Sequence, residues 1–270
     1  MSEQTKINES AQIQVEQLDV AYENNLIIEN MNLSIPKGKI TMIIGSNGCG
    51  KSTLLKTIAR IIKPKAGTIK INGKSIKEQA PKDIAKEMAV LPQSPKAPSG
   101  LLIRELVSYG RFPYQSAMSG MSEHDYEVVD WALSVTGMKE FADKSVDEVS
   151  GGQRQRAWIA MALAQETNIL VLDEPTTYLD MSHQLEILLL LQKLNREQNR
   201  TIVMVLHELN NATRFADHII GVKEGKVVFE GQPKEVITEE NLEKLYGIKA
   251  KLQLDESGSY PICVDFDLAK

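Results

Sequence analysis

The sequence predicts an α/β fold built on a parallel sheet, and three apolar runs carry that expectation. Ile169–Leu172 and Ile202–Leu206 are continuous apolar segments, the pattern of strands buried on both faces by helices. Lys39–Ile44 (KITMII) is a third compact run. It leads through Gly45–Gly50 into a segment where Leu54, Leu55, Ile58, Ile61 and Ile62 recur at helical spacing. A buried strand that turns directly into an amphipathic helix is the repeating half-unit of such sheets.

The remaining elements follow in order. Met1 to about Ala11 is polar and reads as a frayed lead. From Ile13 to Ile35 short apolar segments predict a β-rich, antiparallel edge. Pro64 is expected to stop the first helix. Gly67–Ile71 alternates as a half-buried strand, and Asn72-Gly73 supplies the turn after it. Ala89–Leu91 is another short strand, ending at Pro92-Gln93. From roughly Ser94 to Gln165 helical patterns dominate, broken by polar stretches at Gln115–Ser122 and Asp143–Glu148. Leu185, Leu188, Leu189 and Leu194 mark one further helix. Beyond about Gly231, small helices and a strand at Tyr260–Val264 are expected. The organisation implied is one domain over residues 1–270, with a helical insertion at about 94–165 and a C-terminal tail at 232–270.

Bulk composition narrows the function classes. A chain of 270 residues, 42% hydrophobic and 25% charged, has ordinary globular composition and can bury a sizeable core. The net charge of −5 gives no basic stripe for nucleic acid and agrees with simple solubility. Cys49 and Cys263 lack a second thiol at metal-site spacing, and a reducing compartment suits them better than a disulfide. No run approaches the roughly 18 apolar residues of a membrane span. The N-terminal segment lacks the apolar stretch of a signal peptide. A soluble intracellular protein is expected, so any membrane role must come through a partner.

Gly45-Ser46-Asn47-Gly48-Cys49-Gly50-Lys51-Ser52 fits G-x-x-x-x-G-K-[ST] without a gap, with a strand before it and a helix after it. Glycines let the backbone bend tightly, so that successive N–H groups form an anion nest at a helix N-terminus. Lys51 is expected to reach the β- and γ-phosphates of ATP, and the Ser52 hydroxyl is a hard oxygen ligand for Mg²⁺. Thr53 follows as the next candidate phosphate contact. Cys49, at a helix start beside a lysine, is placed where reactive thiols occur. The sequence therefore predicts inactivation by a thiol reagent and protection by bound ATP, although a small tolerated side chain is the plainer role.

Ile169-Leu170-Val171-Leu172-Asp173-Glu174-Pro175 is an apolar strand ending in two acids. Such a strand delivers both carboxylates to the C-terminal edge of the sheet, where nucleotides bind in these folds. Asp173 is expected to hold Mg²⁺, through water, and Glu174 to polarise the attacking water. Between the two motifs lies Val149-Ser150-Gly151-Gly152-Gln153, followed by Arg154, Gln155 and Arg156. Here the chain resembles the ABC ATPases, whose signature reads LSGGQ; Val149 replaces the leucine. The physical logic is a second phosphate nest at a helix start.

The resemblance spans about Ile13 to Gly231 and implies further roles. Tyr22 corresponds to the aromatic that stacks on adenine. Gln93 corresponds to the glutamine that touches Mg²⁺ and water and moves with the helical insertion. Thr177-Tyr178-Leu179-Asp180 corresponds to a loop usually reading SALD, with Thr177 and Tyr178 in place of Ser and Ala and Asp180 kept. His207 corresponds to the switch histidine at the γ-phosphate, followed here by Glu208 where Asp is common. The family pattern implies a homodimer in which each ATP lies between Lys51 of one copy and the Ser150–Gln153 nest of the other. It also implies integral membrane permease subunits, an indirectly engaged substrate-binding protein, no nucleic acid, and a peripheral place on the cytoplasmic face of the cell membrane.

Three segments resemble the ATPases of iron-chelate importers: GSNGCGKSTLL with its Cys49, Glu105–Tyr114, and Thr177–Gln184. They imply import of a ferric siderophore, with haem or cobalamin importers as the alternative. A soluble ABC ATPase acting on DNA or ribosomes is the rival from another class; the chain lacks the coiled-coil arms or second ATPase unit usual there. The roughly 40 residues after Gly231 are too few for the regulatory domain of a sugar-importer ATPase. Arg104–Tyr114 admits two readings. Exposed Arg111, Phe112 and Tyr114 would suit docking of a membrane subunit, or Phe112 and Tyr114 close the insertion's own core.

Overall fold

The computed structural model describes residues 11–23, 25–116, 120–177 and 179–269. The polar lead before Ala11, and Tyr178, lie outside the described residues. The chain divides into two compact units, one formed by the segments up to Gln79 and from Thr201 onward, the other by Ala80–Arg200. Elements are numbered along the chain.

In the first unit, β1 (Ala11–Tyr22) pairs antiparallel with β2 (Asn25–Pro36) on one side. On the other side it pairs antiparallel with β4 (Ala66–Ile71), which continues into the short β5 (Lys74–Ser75). Alternation supplies the inward face, where Ile13, Val15, Leu18 and Val20 are all buried. The register shifts between Val15 and Leu18, where Gln17 takes a positive φ of 48° and bulges the strand.

The unit's second set of strands runs in the order β10-β9-β3-β8. These are β3 (Ile40–Ile44), β8 (Thr201–Val205), β9 (His218–Lys223) and β10 (Lys226–Gly231). β3 is parallel to both β8 and β9, and β10 returns antiparallel. Every residue of β3 and β8 is buried, as their mostly apolar runs predict, Thr41 and Thr201 included.

Helix α1 (Lys51–Ile58) is shorter than its periodicity implies. Arg60 takes a left-handed φ of 58°. The Ile61 N–H reaches back to Lys56 O at 2.8 Å and the Arg60 N–H to Thr57 O at 3.0 Å. These two bonds form a C-terminal cap of Schellman type, normally built on glycine. The helix therefore ends before Ile61 and Ile62, and well before Pro64.

The unit is completed by α7 (Leu209–Phe215), α8 (Pro233–Val236), α9 (Glu239–Tyr246) and an antiparallel ribbon of β11 (Ile248–Leu254) with β12 (Pro261–Leu268). The sequence reading had only part of β12 and none of β11.

The second unit contains α2 (Pro81–Glu87), β6 (Met88–Leu91), α3 (Ile103–Ser108), α4 (Glu123–Val135), α5 (Gly151–Ala164), β7 (Ile169–Asp173) and α6 (Met181–Gln198). β6 and β7 are parallel, with Leu91 opposite Leu172. α4, α5 and α6 start on side-chain caps from Ser122, Ser150 and Asp180.

Arg111 lies between α3 and α4 in sequence and is not exposed, contrary to the expectation for residues 104–114; only 1% of it is accessible. Its Nε donates to Asp125 Oδ1 at 2.7 Å, and its Nη1 donates to Glu166 Oε2 at 2.6 Å and to Ala164 O at 2.8 Å. The Tyr114 ring covers the guanidinium at 4.2 Å. A buried cation is tolerated only when so fully paired. Phe112 is 58% exposed and stacks on Tyr109. Tyr114 is partly exposed and its hydroxyl donates to Gln165 O at 2.9 Å.

Burial alone would raise the Asp125 carboxyl. The Ser122 hydroxyl and N–H and the Arg111 guanidinium outweigh it and hold the group at about 2, below its ordinary 3.8. A depressed carboxyl contributes stability that is complete above its unfolded value and lost as pH falls through the folded one. Asp125→Ala should therefore cost about 3–5 kcal/mol in urea unfolding, because it leaves Arg111 buried beside one carboxylate fewer. Asp130→Ala, whose partner Arg104 is half exposed, should cost less than about 1 kcal/mol. The loss of stability between pH 4 and pH 2 should be shallower in Asp125→Asn than in the parent.

Candidate nucleotide site

The parallel register of each unit decides which motif residues emerge together. In the first unit Ile43 of β3 lies opposite Val205 of β8. Gly45 and His207 each stand two residues beyond that pair, so the phosphate loop and the histidine leave the same, C-terminal edge of neighbouring strands. Ligands bind at that edge in α/β sheets. His207 is exposed there, directly after the buried Leu206.

The loop itself is folded around Lys51. Its Nζ donates to Gly45 O and to Ser46 O, both at 2.8 Å, and lies 3.8 Å from Cys49 Sγ. Gly50 is the N-cap of α1 with φ 107°, a conformation for which glycine is suited. Gly45 is needed for space as well, since a Cβ there would fall 2.1 Å from Val222 O. Ser46, Asn47 and Gly48 form the exposed tip, with Ser52 and Thr53 partly exposed on the first turn of α1.

Cys49 is buried, only 5% accessible, with its sulfur turned toward Gly45. That corrects the expectation of a readily alkylated thiol: the loop's curvature points the side chain inward, and attack requires the loop to open. Tyr22 ends β1 and is 48% exposed.

In the second unit the same register logic acts on β6 and β7. Leu91 faces Leu172, and two residues further on stand Gln93 and Glu174. They touch: Gln93 Nε2 donates to Glu174 Oε2 at 2.5 Å. Thr177 Oγ1 donates to the same oxygen at 3.0 Å. Glu174 is buried and takes a positive φ of 53°, a strained state for a non-glycine residue. Asp173, the last residue of β7, is also buried. The two acids thus end an apolar run, and Gln93 and Thr177 both donate to one oxygen of Glu174.

Ser150 is the N-cap of α5. Its hydroxyl accepts from Gln153 N at 3.2 Å, and Gln153 Oε1 accepts from Ser150 N at 3.0 Å. The signature segment is therefore a capping box, which fixes the direction of the first N–H groups of α5. A Cβ on Gly151 would meet open space, whereas one on Gly152 would meet His183 Cδ2 at 3.2 Å. Asp180 caps α6, accepting from His183 N at 2.9 Å and from Ser182 Oγ at 2.8 Å.

Sequence reasoning passed over three contributors. The Tyr246 hydroxyl, from α9, is hydrogen-bonded to the Gly45 backbone at the start of the phosphate loop, and burial outweighs that bond to push it up to about 12. Gly225, in the turn between β9 and β10, donates its N–H to Cys49 O at 2.9 Å. His183 lies against Gly152. All three contacts join segments far apart in sequence, and none leaves a local pattern. The loop residues and His207 belong to the first unit, while Gln93, Asp173, Glu174, Ser150–Gln153 and Asp180 belong to the second.

The sequence profile of the ABC transporter family matches residues 28–177. The chain is 54% identical to the iron(3+)-hydroxamate import ATP-binding protein FhuC of Bacillus subtilis (strain 168), over 96% of each chain. Its fold is similar to that of a putative metal-chelate type ABC transporter in an inward-facing conformation, with a TM-score of 0.81 and 28% identity over 95% of this chain and 98% of that one. It is also similar to a dimeric ATP-binding cassette in a post-hydrolysis state with bound ADP and phosphate, with a TM-score of 0.72 and 31% identity over 82% of this chain and 98% of that one. With an unbroken phosphate loop, an acid pair closing a buried strand and a capped signature helix, the chain belongs to the ABC transporter family, as one of its ATP-hydrolysing subunits.

Proposed function

We propose that the protein is the ATPase of an importer for a ferric siderophore, working as a homodimer on permease subunits at the cytoplasmic face of the cell membrane. The observation that carries this reading is the 54% identity over 96% of both chains to a hydroxamate-import ATPase. Among the described residues no helix is long and apolar enough to cross a membrane, so the membrane passage is assigned to partner subunits. The exposed Tyr109–Phe112 stack is the docking candidate within residues 104–114.

In this mechanism ATP lies between the phosphate loop of one copy and the Ser150–Gln153 nest of the other. Tyr22 stacks on the adenine. The N–H groups of Gly45–Thr53 and Lys51 hold the phosphates, and Lys51 exchanges its bonds to Gly45 O and Ser46 O for phosphate oxygens. Glu174 orients and polarises the attacking water, and His207 contacts the γ-phosphate. Gln93 and Thr177 hold one oxygen of Glu174 and so orient the carboxylate that polarises the water.

Mg²⁺ suits the candidate donor set. The Ser52 hydroxyl, the Asp173 carboxylate and the Gln93 amide are hard oxygen donors. Among the described residues no cluster of three or more His, Cys, Asp or Glu offers a competing all-protein cage. When bound, the ion would neutralise charge on the β- and γ-phosphates. ATP then joins two copies by sharing its charge between two nests, and hydrolysis releases them.

Glu174→Gln should bind ATP and dimerise, while turnover in a phosphate-release assay falls about 10²–10⁴-fold; turnover at the parent rate would remove Glu174 from its role. With a thiol reagent followed by mass spectrometry, the partly exposed Cys263 should react before Cys49, and ATP should slow only the Cys49 reaction. A membrane pull-down with Glu174→Gln and ATP tests the transport reading. Co-purification of a polytopic permease with an iron-chelate-binding protein supports it. A haem- or cobalamin-binding partner would redirect the cargo, and ribosomes or DNA without membrane protein would overturn it.

A further inference from the structure

We propose that His183 is a positioning residue that joins the Asp180 turn to the phosphate nest at Ser150–Gly152, so that the two move as one piece when ATP is gripped between copies. The inference rests on the reading of Ser150–Gln153 as a nest for the partner copy's ATP, and it adds a residue which that reading does not include.

Two helix N-termini meet at this side chain. α5 begins at the Ser150 cap and α6 at the Asp180 cap. His183 is the third residue of α6, and its backbone N–H donates to Asp180 Oδ1 at 2.9 Å as an ordinary capping bond. The ring adds a second tie, with Nδ1 2.8 Å from the same oxygen. Three bonds from Ser182 and His183 hold the Asp180 carboxyl at about 2, below its ordinary 3.8, so it is ionised at any working pH. An ionised carboxylate only accepts, so the ring nitrogen facing it carries the proton.

The ring orientation is thereby fixed, and its other edge lies over Gly152. A Cβ on Gly152 would come within 3.2 Å of Cδ2, 3.4 Å of Cγ and 3.6 Å of Nε2. The imidazole thus fills the space beside the first turn of α5 and blocks that turn from shifting toward α6. A side chain without a ring leaves a gap there, and one without a donor leaves the ring free to rotate. Neither contact involves the phosphate loop, which lies in the other unit. The effect should fall on the grip between copies and leave nucleotide capture by one copy unchanged.

The test is made in the full-length Glu174→Gln protein. Affinity of one copy for ATP is read by displacement of a fluorescent ATP analogue at low protein concentration. The ATP concentration for half-maximal dimerisation is read by sedimentation velocity. His183→Ala should leave the first within about twofold and raise the second about fivefold, or about 1 kcal/mol, the size expected for one hydrogen bond with its packing. His183→Asn, which keeps a donor near the Nδ1 position, and His183→Phe, which keeps the ring, should each recover part of the loss. In the protein with Glu174 intact, His183→Ala should lower kcat with little change in KM for ATP at fixed, limiting protein concentration.

Unchanged dimerisation in His183→Ala would overturn the proposal. So would an equal loss in both measurements, which would mark a general defect of the fold. Failure of the Glu174→Gln parent itself to dimerise with ATP would overturn the underlying reading of the nest instead, and is seen before any His183 variant is compared.

Discussion

A short parallel strand buried at every position can place polar chemistry only at its ends. β3, β7 and β8 are five residues long and buried throughout. A charge in the middle of such a strand would be costly to desolvate. The residues able to carry charge lie at the strand's last position, as Asp173 does in β7, or just past it, and in-register pairing brings two such ends side by side. Ile43 against Val205 delivers the phosphate loop beside His207, and Leu91 against Leu172 delivers Gln93 onto Glu174. A slip of one residue in either pair would separate the partners by a strand rise of about 3.3 Å and turn them to opposite faces.

This constraint also explains what could be read from the sequence. The phosphate loop, the acid pair and the capped signature segment are contiguous, and local chemistry alone demands their residue types. The strands were legible because burial on both faces leaves unbroken apolar runs. The Gln93–Glu174 bond was not legible, because it depends on which residues of two distant strands lie opposite each other. Arg111 was misread for a related reason. Its chain neighbours Tyr109, Phe112 and Tyr114 suggest an exposed face, but its partners Asp125 and Glu166 lie on other segments, 14 and 55 residues away. The early end of α1 was hidden by Arg60, which occupies a left-handed position that pattern reading assigns to glycine.

Stiffness and adaptability are divided within each unit by the same bonding rules. In the second unit Arg111 has three charge-assisted or carbonyl bonds and an aromatic cover, and removing any one leaves a buried charge short of partners. Those bonds tie α4, through Asp125, to the end of α5, through Ala164. By contrast Glu174, with a positive φ of 53°, has one carboxylate oxygen held by the flexible side chains of Gln93 and Thr177.

The helix starts show how one structural device serves two purposes. A capping box uses a serine and a glutamine to satisfy donors at a helix end, and α5 has one for that purpose alone on stability grounds. Yet each backbone bond satisfied by a side chain leaves the neighbouring N–H groups fixed in direction, and a fixed array of donors is what an anion requires. The two glycines after Ser150 differ accordingly. Gly151 has open space beside it, and Gly152 is closed off by the His183 ring. The absence of a side chain at Gly151 leaves its backbone open on that side, whereas at Gly152 it admits a neighbour from the same chain. The sequence alone presents these glycines as equivalent. The fold separates them, because only one faces the helix whose cap is Asp180.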